Sequence, residues 1–332
     1  MVSRGQTPVN LALLPPGEQP AVPLQPEWRQ RLEAWRALLA QCARKPSRKS
    51  VHILRALTLR LRAGLEHSLE QAADPAAARA FQRWSKDAKK LRKALEPVRN
   101  ADVYLFRLDS LRDPSRETSA SQTPLSPLCA REIAKFEDRL MRKRIEAVDK
   151  LKLFIGAHGK RLNRLTNEME AALAPAMPAQ APSTAQAALD IFTRLTSELP
   201  SLDAANLHEY RKRLKQALYL SELSAAADPV AERLTAAFRK IQDAAGEWHD
   251  WQALAQEASR VLSGRGKRDG LVSVLKAREE QALRRALGQC RRSTARSMKN
   301  AGKLRLSLPK KPVAAEPGLQ LEDNDLEAQI GR

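Results

Sequence analysis

The sequence has few of the residues that build β-sheets, disulfide frameworks or zinc sites. Aromatic residues make up only 4% of the 332 positions, and strand formers are scarce beside alanine, leucine, arginine, lysine, glutamate and glutamine. Strands favour β-branched and aromatic side chains, whereas the abundant residues are good helix formers. The three cysteines, Cys42, Cys129 and Cys290, are far apart and form no CxxC pair, which argues against a disulfide framework and a zinc site. We therefore expect an all-α protein with reduced, buried thiols.

Long apolar runs and a balancing number of acidic residues are also missing. No segment is apolar over the length needed to cross a bilayer, and prolines interrupt the N-terminus before the apolar core of a signal peptide can form. Lysine and arginine total 58 against 38 aspartate and glutamate, a net charge of +20. The sequence thus predicts a cytoplasmic protein without a membrane segment. Its expected partner is a polyanion, either a nucleic acid, an anionic surface or a phosphate polymer.

Stretches rich in proline or polar residues divide the chain. Residues 1–25 and 304–332 are aperiodic and are predicted to be flexible tails, while residues 174–186 read as a proline- and alanine-rich linker. Residues 26–303 are then predicted to form one helical domain, which the linker divides in two. The two halves are residues 26–174 and 187–303.

Apolar residues at helical spacing predict helices throughout that domain. Ser47 or Ser50 is placed to cap the second helix, and Asp74 with the following proline opens the third. The long helix after the polar loop 112–127 is expected to break near Gly156. The predicted helices cover residues 26–44, 51–72, 74–97, 128–174, 186–199, 203–226, 229–246 and 269–303, with short helices after Pro97 and through Trp251.

An internal repeat relates the two halves. The segment "VHILRALTLRLRAGLE" aligns with "LHEYRKRLKQALYLSE", and a second, weaker alignment follows each of them in the same order. We therefore predict two pseudo-symmetric helical bundles. The matched pairs are His52 with His208, Arg55 with Arg211, Glu66 with Glu222 and, further on, Lys90 with Lys240.

Both repeated helices are predicted to carry an apolar face and, opposite it, a cationic face. A solvated surface is the alternative interpretation of any single face of this kind. Here few carboxylates on the same faces balance the charge, and both copies show the arrangement, which favours an anion-binding role. The cationic faces contain His52, Arg55, Arg60 and Arg62 in the first copy, His208, Arg211, Lys212, Lys215 and Tyr219 in the second, and Lys86, Lys89, Lys90 and Lys93 on a third helix.

The histidines and aspartates form no recognisable catalytic or metal-binding pattern. His52 and His208 have no second ligand at helical spacing, so contact with an anion through an imidazole N–H is the preferred interpretation. Asp102 and Asp250 are expected to cap helices or to pair with arginines. The sequence lacks a glycine-rich phosphate loop, an acidic metal cluster and an activated nucleophile. It therefore predicts a non-enzyme without metal or cofactor.

Other partners and activities stay open at this stage. A nucleic-acid-binding protein is the second hypothesis, although base stacking needs exposed aromatic side chains. Trp28, Trp35 and Trp84 lie at core spacing, whereas the positions of Trp248 and Trp251 are not decided by the pattern. An enzyme acting on phosphate compounds is the third hypothesis. The sequence does not indicate an oligomeric state.

Four segments together resemble the CHAD family, the conserved-histidine α-helical domain. They are "VHILRALTLRLRA", "LEPVRNADVYL", "LHEYRKRLKQALYLSEL" and "KIQDAAGEWHDWQAL", in the family's order, over roughly residues 26–303. The resemblance implies two helical bundles with a basic groove or pore between them. It also implies binding of inorganic polyphosphate and, for members that act alone, association with polyphosphate granules, and it adds Arg99 and Lys240 to the predicted site. Because the chain has no strand-rich segment with an E-x-E-x-K motif, it resembles a member without the CYTH triphosphatase domain.

Overall fold

Eight α-helices make up the regular secondary structure of the described part of the chain. The computed structural model describes residues 26–72, 74–112, 125–176, 184–225, 228–262 and 270–305. All of the regular structure in these ranges is helical, which confirms the all-α prediction. The predicted tails lie outside the described residues except for 304 and 305, and so does the middle of the predicted linker. The helices are α1 (Pro26–Arg44), α2 (Arg48–Ala72), α3 (Pro75–Arg112), α4 (Pro127–Ala176), α5 (Thr184–Glu198), α6 (Leu207–Ser224), α7 (Pro229–Leu262) and α8 (Leu271–Arg305).

The predicted interruptions of α3, α4 and α7 are wrong, because each of these helices runs without a break. Pro97 lies on the exposed side of α3, where the carbonyl group that lacks its usual donor can be hydrated. The buried residues Leu95 and Val98 hold the helical turns on either side. Gly156 and Gly246 lie inside α4 and α7, where packing of the flanking residues outweighs the weak helix propensity of glycine.

Local capping contacts determine where α2 and α3 begin. The backbone N–H of Ser47 donates to Ser50 Oγ at 2.9 Å, and the N–H of Ser50 donates to Ser47 Oγ at 3.0 Å. This reciprocal pair acts as a capping box. The Asp74 carboxylate accepts hydrogen bonds from the backbone of Ala76 and Ala77. Both predicted caps are confirmed, and they set the register of the charged residues that follow.

The helices enclose two apolar cores. The first core contains residues of α1, α2, α3 and α4 around Trp35 and Trp84. The second contains residues of α5 to α8, together with the end of α3 and the start of α4, around Trp248 and Trp251. The tryptophans predicted as core residues are buried, and so are the two that the sequence left undecided.

Three helix pairs connect the cores: α2 contacts α6, α3 contacts α7 and α4 contacts α8. The two helices of each pair hold the same position in successive groups of four, α1 to α4 and α5 to α8, as the predicted repeat requires. The pseudo-symmetry and the groove themselves stay predictions. Because α3 and α4 contribute to both cores, the cores do not separate at the linker. The polar faces of α2, α3, α6 and α7 meet between the two cores, in a region that we call the junction.

Two further predictions concern buried, reduced cysteines and the lack of a membrane-spanning segment. Cys42, Cys129 and Cys290 are buried free thiols, as predicted. Burial raises the pKa of each thiol, that of Cys290 to about 12, which keeps them protonated and weakly reactive. Within the described ranges, no helix combines the length and apolarity that crossing a bilayer requires.

Candidate anion-binding site

Helix α2 directs its leucines inward and its basic residues toward the junction, as its periodicity predicts. Leu54, Leu61 and Leu65 are fully buried in the first core. Arg55 lies on the other side, within electrostatic reach of Arg99 on α3 and Tyr219 on α6. Because α2 is a regular helix, its cationic face lies against both α3, from the same half of the chain, and α6, from the other half.

Helix α6 brings the second cationic face to the same place. Tyr210 and Leu214 are buried in the second core. Arg211 was predicted on the opposite side of the helix, but it lies one turn from the buried Leu207 and Leu214, at the edge of the apolar face, and is only 8% exposed. Lys215 and Tyr219 follow one and two turns later and are half-buried.

Four basic side chains at the junction have no carboxylate partner. We call Arg55, Arg92, Arg211 and Lys215 the cation cluster. Each lies in the electrostatic field of at least one other member. None of them forms an ion pair or hydrogen bond with another described residue, and Nε of Arg55 and of Arg211 is buried without an acceptor. Uncompensated buried charge destabilises a fold, so this arrangement indicates a site for an anion.

The pKa values at the cluster reflect burial and mutual repulsion. Burial, reinforced by the charges of Arg211, Arg55 and Arg99, lowers the pKa of Lys215 to about 7. Burial lowers the pKa of Arg211 to about 10, although Asp250 acts against this shift. Both shifts have the direction expected when a cation lacks water and a counter-ion. A bound anion would reverse them.

Two carboxylates act on the cluster electrostatically without an ion pair to it. Glu96 of α3 acts on Arg55 and Arg92, and Asp250 of α7 acts on Arg55, Arg211 and Lys215. Arginines of α3 neutralise Asp250. Arg99 Nη2 donates to Asp250 Oδ1 at 3.0 Å, and Arg107 Nη2 lies 3.7 Å from Oδ2. Burial acts to raise the pKa of Asp250, but His249 and the two guanidinium groups lower it to about 2. The expected pairing of Asp250 with an arginine is thus confirmed, as is that of Asp102, which accepts a hydrogen bond from Arg144.

Arg60 and Arg62 lie on the predicted face of α2 but are paired. Arg60 Nε donates to Glu222 Oε2 at 2.6 Å, and Glu222 also accepts a hydrogen bond of 2.9 Å from Arg239. The Arg60 guanidinium group also lies 5.4 Å from the centre of the Tyr219 ring. Arg62 is 3.7 Å from Glu66. These carboxylates make the free positive charge smaller than the sequence alone suggests.

The two predicted histidines lie at the edges of the cluster. His52 is exposed in part, and burial of the rest of its ring, together with the charges of Arg99 and Arg55, lowers its pKa. His208 stacks on His249 with ring centres 5.4 Å apart. Burial and His249 lower the pKa of His208 as well. At neutral pH each imidazole is therefore uncharged and can donate one N–H to an anion.

The remaining predicted lysines lie outside the cluster. Lys86, Lys89, Lys93 and Lys240 are exposed, and no described hydrogen bond or ion pair links them to it. Two others have acidic neighbours on their own helices. Lys90 lies 3.0 Å from Asp87, and Lys212 lies 3.6 Å from Glu209.

Several residues of the junction were not predicted from the sequence. Arg92 is one turn before Glu96 and two turns before Arg99, so the same helical spacing that revealed the other faces could have identified it. Arg107 and His249 had no such signal, because their roles depend on the meeting of α3 with α7. Glu222 was matched in the repeat, but its pairing with Arg60 crosses between the two cores.

Comparisons with known proteins agree with this architecture. The CHAD domain model matches residues 27–259. The crystal structure of the CHAD domain from the plant Ricinus communis is similar with a TM-score of 0.58 at 17% identity, over 81% of this chain and 89% of that one. PptA from Streptomyces chartreusis is similar with a TM-score of 0.53 at 16% identity, over 82% of this chain and 99% of that one. A search of the curated proteins finds no significant match. Since the family model covers well over half of the sequence, the chain belongs to the CHAD domain family.

Proposed function

We propose that this protein binds inorganic polyphosphate at the cation cluster and does not hydrolyse it. The observation that carries the proposal is the set of four buried or half-buried cations without a carboxylate partner. Arginine can grip phosphate oxygens through paired N–H groups, and lysine supplies a compact charge. Because the cluster draws on α2, α3 and α6, it suits a ligand that presents negative charge over an extended length.

The aromatic residues support polyphosphate over single-stranded nucleic acid. A protein that binds single strands stacks successive bases on exposed aromatic side chains. All five tryptophans are buried in the two cores and cannot stack on a base. Polyphosphate has no bases and needs no such surface.

The state of Asp250 supports a binding role over a catalytic one. A general base must be able to accept a proton near the working pH. Asp250 contacts Arg99 and has a pKa of about 2, so it is a poor base.

In the cell, binding of this kind would take the protein to polyphosphate granules, where a fluorescent fusion should be seen.

The direct test is a competition titration at one salt concentration. Long-chain polyphosphate, single-stranded RNA and duplex DNA of equal total charge would compete with a labelled polyphosphate probe. We expect polyphosphate to bind most tightly. RNA that binds as tightly or more tightly would favour a nucleic-acid-binding protein. Release of orthophosphate that depends on Asp250 would contradict the non-catalytic part of the proposal.

A pair of double variants tests the location of the site. Arg55→Met with Arg211→Met removes two cluster cations, and we expect the affinity to fall about tenfold or more per side chain. Arg83→Met with Arg164→Met is the matched control, because both arginines are more than half exposed and contact Glu168. If the control lowers affinity as much, net charge and not the cluster binds the anion.

A further inference from the structure

A cleft lies beside the cation cluster, between the first turns of α2 and the middle of α3. Its volume is about 490 Å³, which is within the range of small-molecule sites. Arg99 and Asp250 border it, and both lie within electrostatic reach of Lys215 in the cluster. The other lining residues are Arg48, Lys49, His52, Ile53, Val103, Phe106, Arg107 and Asp102, and Asp102 is paired with Arg144.

The cleft combines positive charge with exposed apolar side chains. Arg48, Lys49 and His52 are exposed on α2, and none of them pairs with a carboxylate of the described chain. Ile53 is 37% exposed and Phe106 is 40% exposed. These two are among the few large apolar side chains that the described surface leaves in water. Inorganic polyphosphate is fully charged and gains nothing from apolar contacts, so it does not account for them.

The Phe106 ring is held in a defined position. The guanidinium group of Arg48 lies 4.3 Å from the ring centre, and that of Arg107 lies 5.9 Å from it. Such cation–π contacts orient a ring at the surface. The ring, with Ile53 and Val103, forms an apolar patch next to charges that suit phosphate. A ligand that matches both features has a planar apolar group joined to a phosphate chain.

We propose that the cleft binds the base of a nucleoside polyphosphate, with its phosphates directed along His52 toward the cation cluster. This inference rests on the proposed function, because it uses the same cluster for the phosphates. His52 can connect the two parts, since it borders the cleft and lies in the electrostatic field of Arg55. One aromatic ring accommodates one base, which fits a single terminal nucleoside and does not fit a run of stacked nucleotides.

Calorimetric titration with ATP and with inorganic tripolyphosphate, both without divalent metal, tests this site. The two probes share a triphosphate, and ATP adds the nucleoside at the cost of one negative charge, so charge alone would favour tripolyphosphate. We expect ATP to bind about fivefold to a hundredfold more tightly, because base–aromatic stacking contributes an amount of that size. Phe106→Ala should bring the ATP affinity down to that of tripolyphosphate and leave tripolyphosphate and long-chain polyphosphate unchanged. Phe106→Trp should preserve the preference for ATP.

Leu153→Ala is the matched control, because Leu153 is a large apolar residue of α4 that is 74% exposed and does not line the cleft. Equal binding of ATP and tripolyphosphate in the unmodified protein would overturn the inference. If the unmodified protein still bound long-chain polyphosphate, the proposed function would stand. If it bound none of the three ligands, both the proposed function and this inference would be contradicted. A fall in molar mass on Phe106→Ala, seen by sedimentation and without a change in ATP affinity, would assign the patch to contacts between copies of the chain.

Discussion

At the scale of single residues, Arg211 favours anion binding but lowers the stability of the ligand-free fold. It is 8% exposed and its Nε has no acceptor among the described residues. A buried charge without a partner lowers stability, and an apolar residue of similar volume is often more stable in such a position. An anion that bound there would restore the missing interactions and stabilise the fold by linkage.

We therefore predict that Arg211→Met makes the ligand-free protein more stable while weakening polyphosphate binding. The expected gain in the free energy of unfolding is about 1–3 kcal/mol, measured by urea denaturation without ligand. Added polyphosphate should raise the melting temperature of the unmodified protein more than that of the variant. The exposed Arg83→Met should change stability by less than about 0.5 kcal/mol. A lower stability of Arg211→Met would mean that this arginine has a structural role.

Lys215 should make anion binding dependent on pH. Its pKa is lowered to about 7 in the free protein, and a neighbouring anion would raise it, so binding takes up a proton above pH 7. Affinity should then fall by at most about tenfold per pH unit between pH 7 and 9. Arg55, Arg99, Arg211 and Asp250 are the charged groups that face it. Arg211, with a pKa of about 10, stays protonated in this window, and Asp250, with a pKa of about 2, stays ionised.

Calorimetry in buffers of different ionisation enthalpy would measure the proton uptake directly. Lys215→Arg keeps its charge throughout the window and should abolish both the uptake and the pH dependence. The histidines of the site have pKa values below their usual range, so their titration lies on the acid side. An affinity in the unmodified protein that is constant from pH 7 to 9 would contradict the role given to Lys215.

The sequence predicted the position of residues around single helices better than their partners across helices. Helical spacing separated the buried Leu54 and Leu61 from Arg55, because one regular helix fixes these directions. It could not reveal that Glu222 on α6 neutralises Arg60 on α2, since that contact joins positions 162 residues apart. Which cations are free is therefore a property of the packed structure.

At the scale of helices, the crossing of α2 with α6 depends on close approach at Gly64. A Cβ atom there would lie 2.6 Å from Trp28 Cη2 and 2.8 Å from Leu223 Cδ1. Both distances are shorter than carbon atoms tolerate, so the side chain of Trp28 or Leu223, or the helix that carries it, would have to shift. The glycine thus allows α2 to pack closely against both α1 and α6, and the α2–α6 crossing brings Arg55 toward Arg211 and Lys215.

We predict that Gly64→Ala lowers the free energy of unfolding by about 1–3 kcal/mol, despite the better helix propensity of alanine. Polyphosphate affinity should also fall, because the cluster spans the α2–α6 crossing. Gly156→Ala is the control, since a Cβ atom there meets nothing within 4 Å, and it should stabilise α4 by roughly 0.5–1 kcal/mol. Thermal unfolding of both variants would measure the difference, and equal stabilisation by the two would show that Gly64 is not tightly packed.

Most helix boundaries could be predicted, but helix continuity could not. Capping residues such as Ser47 and Asp74 mark a start through local hydrogen bonds. Pro97 and Gly156 are local signals for a break, yet burial of apolar residues on both sides keeps the helices intact. Tertiary packing outweighs a local cost of a few kcal/mol. Such packing is decided by residues far away in the sequence.

At the scale of the whole molecule, the net charge of +20 is spread more widely than the cluster. Four predicted site lysines, Lys86, Lys89, Lys93 and Lys240, are exposed and outside it. Composition predicted a polyanion as the partner, and the family resemblance predicted polyphosphate. Neither could distinguish a confined site from a diffuse attraction, because that distinction depends on which cations the fold buries. Comparing polyphosphates of different lengths can distinguish a confined site from a diffuse attraction.

We predict two regimes of polyphosphate length. A chain of about four phosphates can supply one charge to each cluster cation, so affinity should rise steeply up to that length and more gently beyond it. Replacing the four exposed lysines together by glutamine should leave the affinity of tetrapolyphosphate nearly unchanged and weaken only long chains. The double variant Arg55→Met with Arg211→Met should weaken both.

Salt dependence provides the second measurement, because each neutralised phosphate releases a counter-ion and the logarithm of affinity falls linearly with the logarithm of salt concentration. For long chains, the four-lysine variant and the cluster variant should both give shallower slopes than the unmodified protein. For tetrapolyphosphate, only the cluster variant should do so. If pyrophosphate competes as well as a long chain, the site is a small pocket and the extended ligand is wrong. If the four-lysine variant loses tetrapolyphosphate as strongly as the cluster variant, attraction by the whole basic surface is the better account of binding.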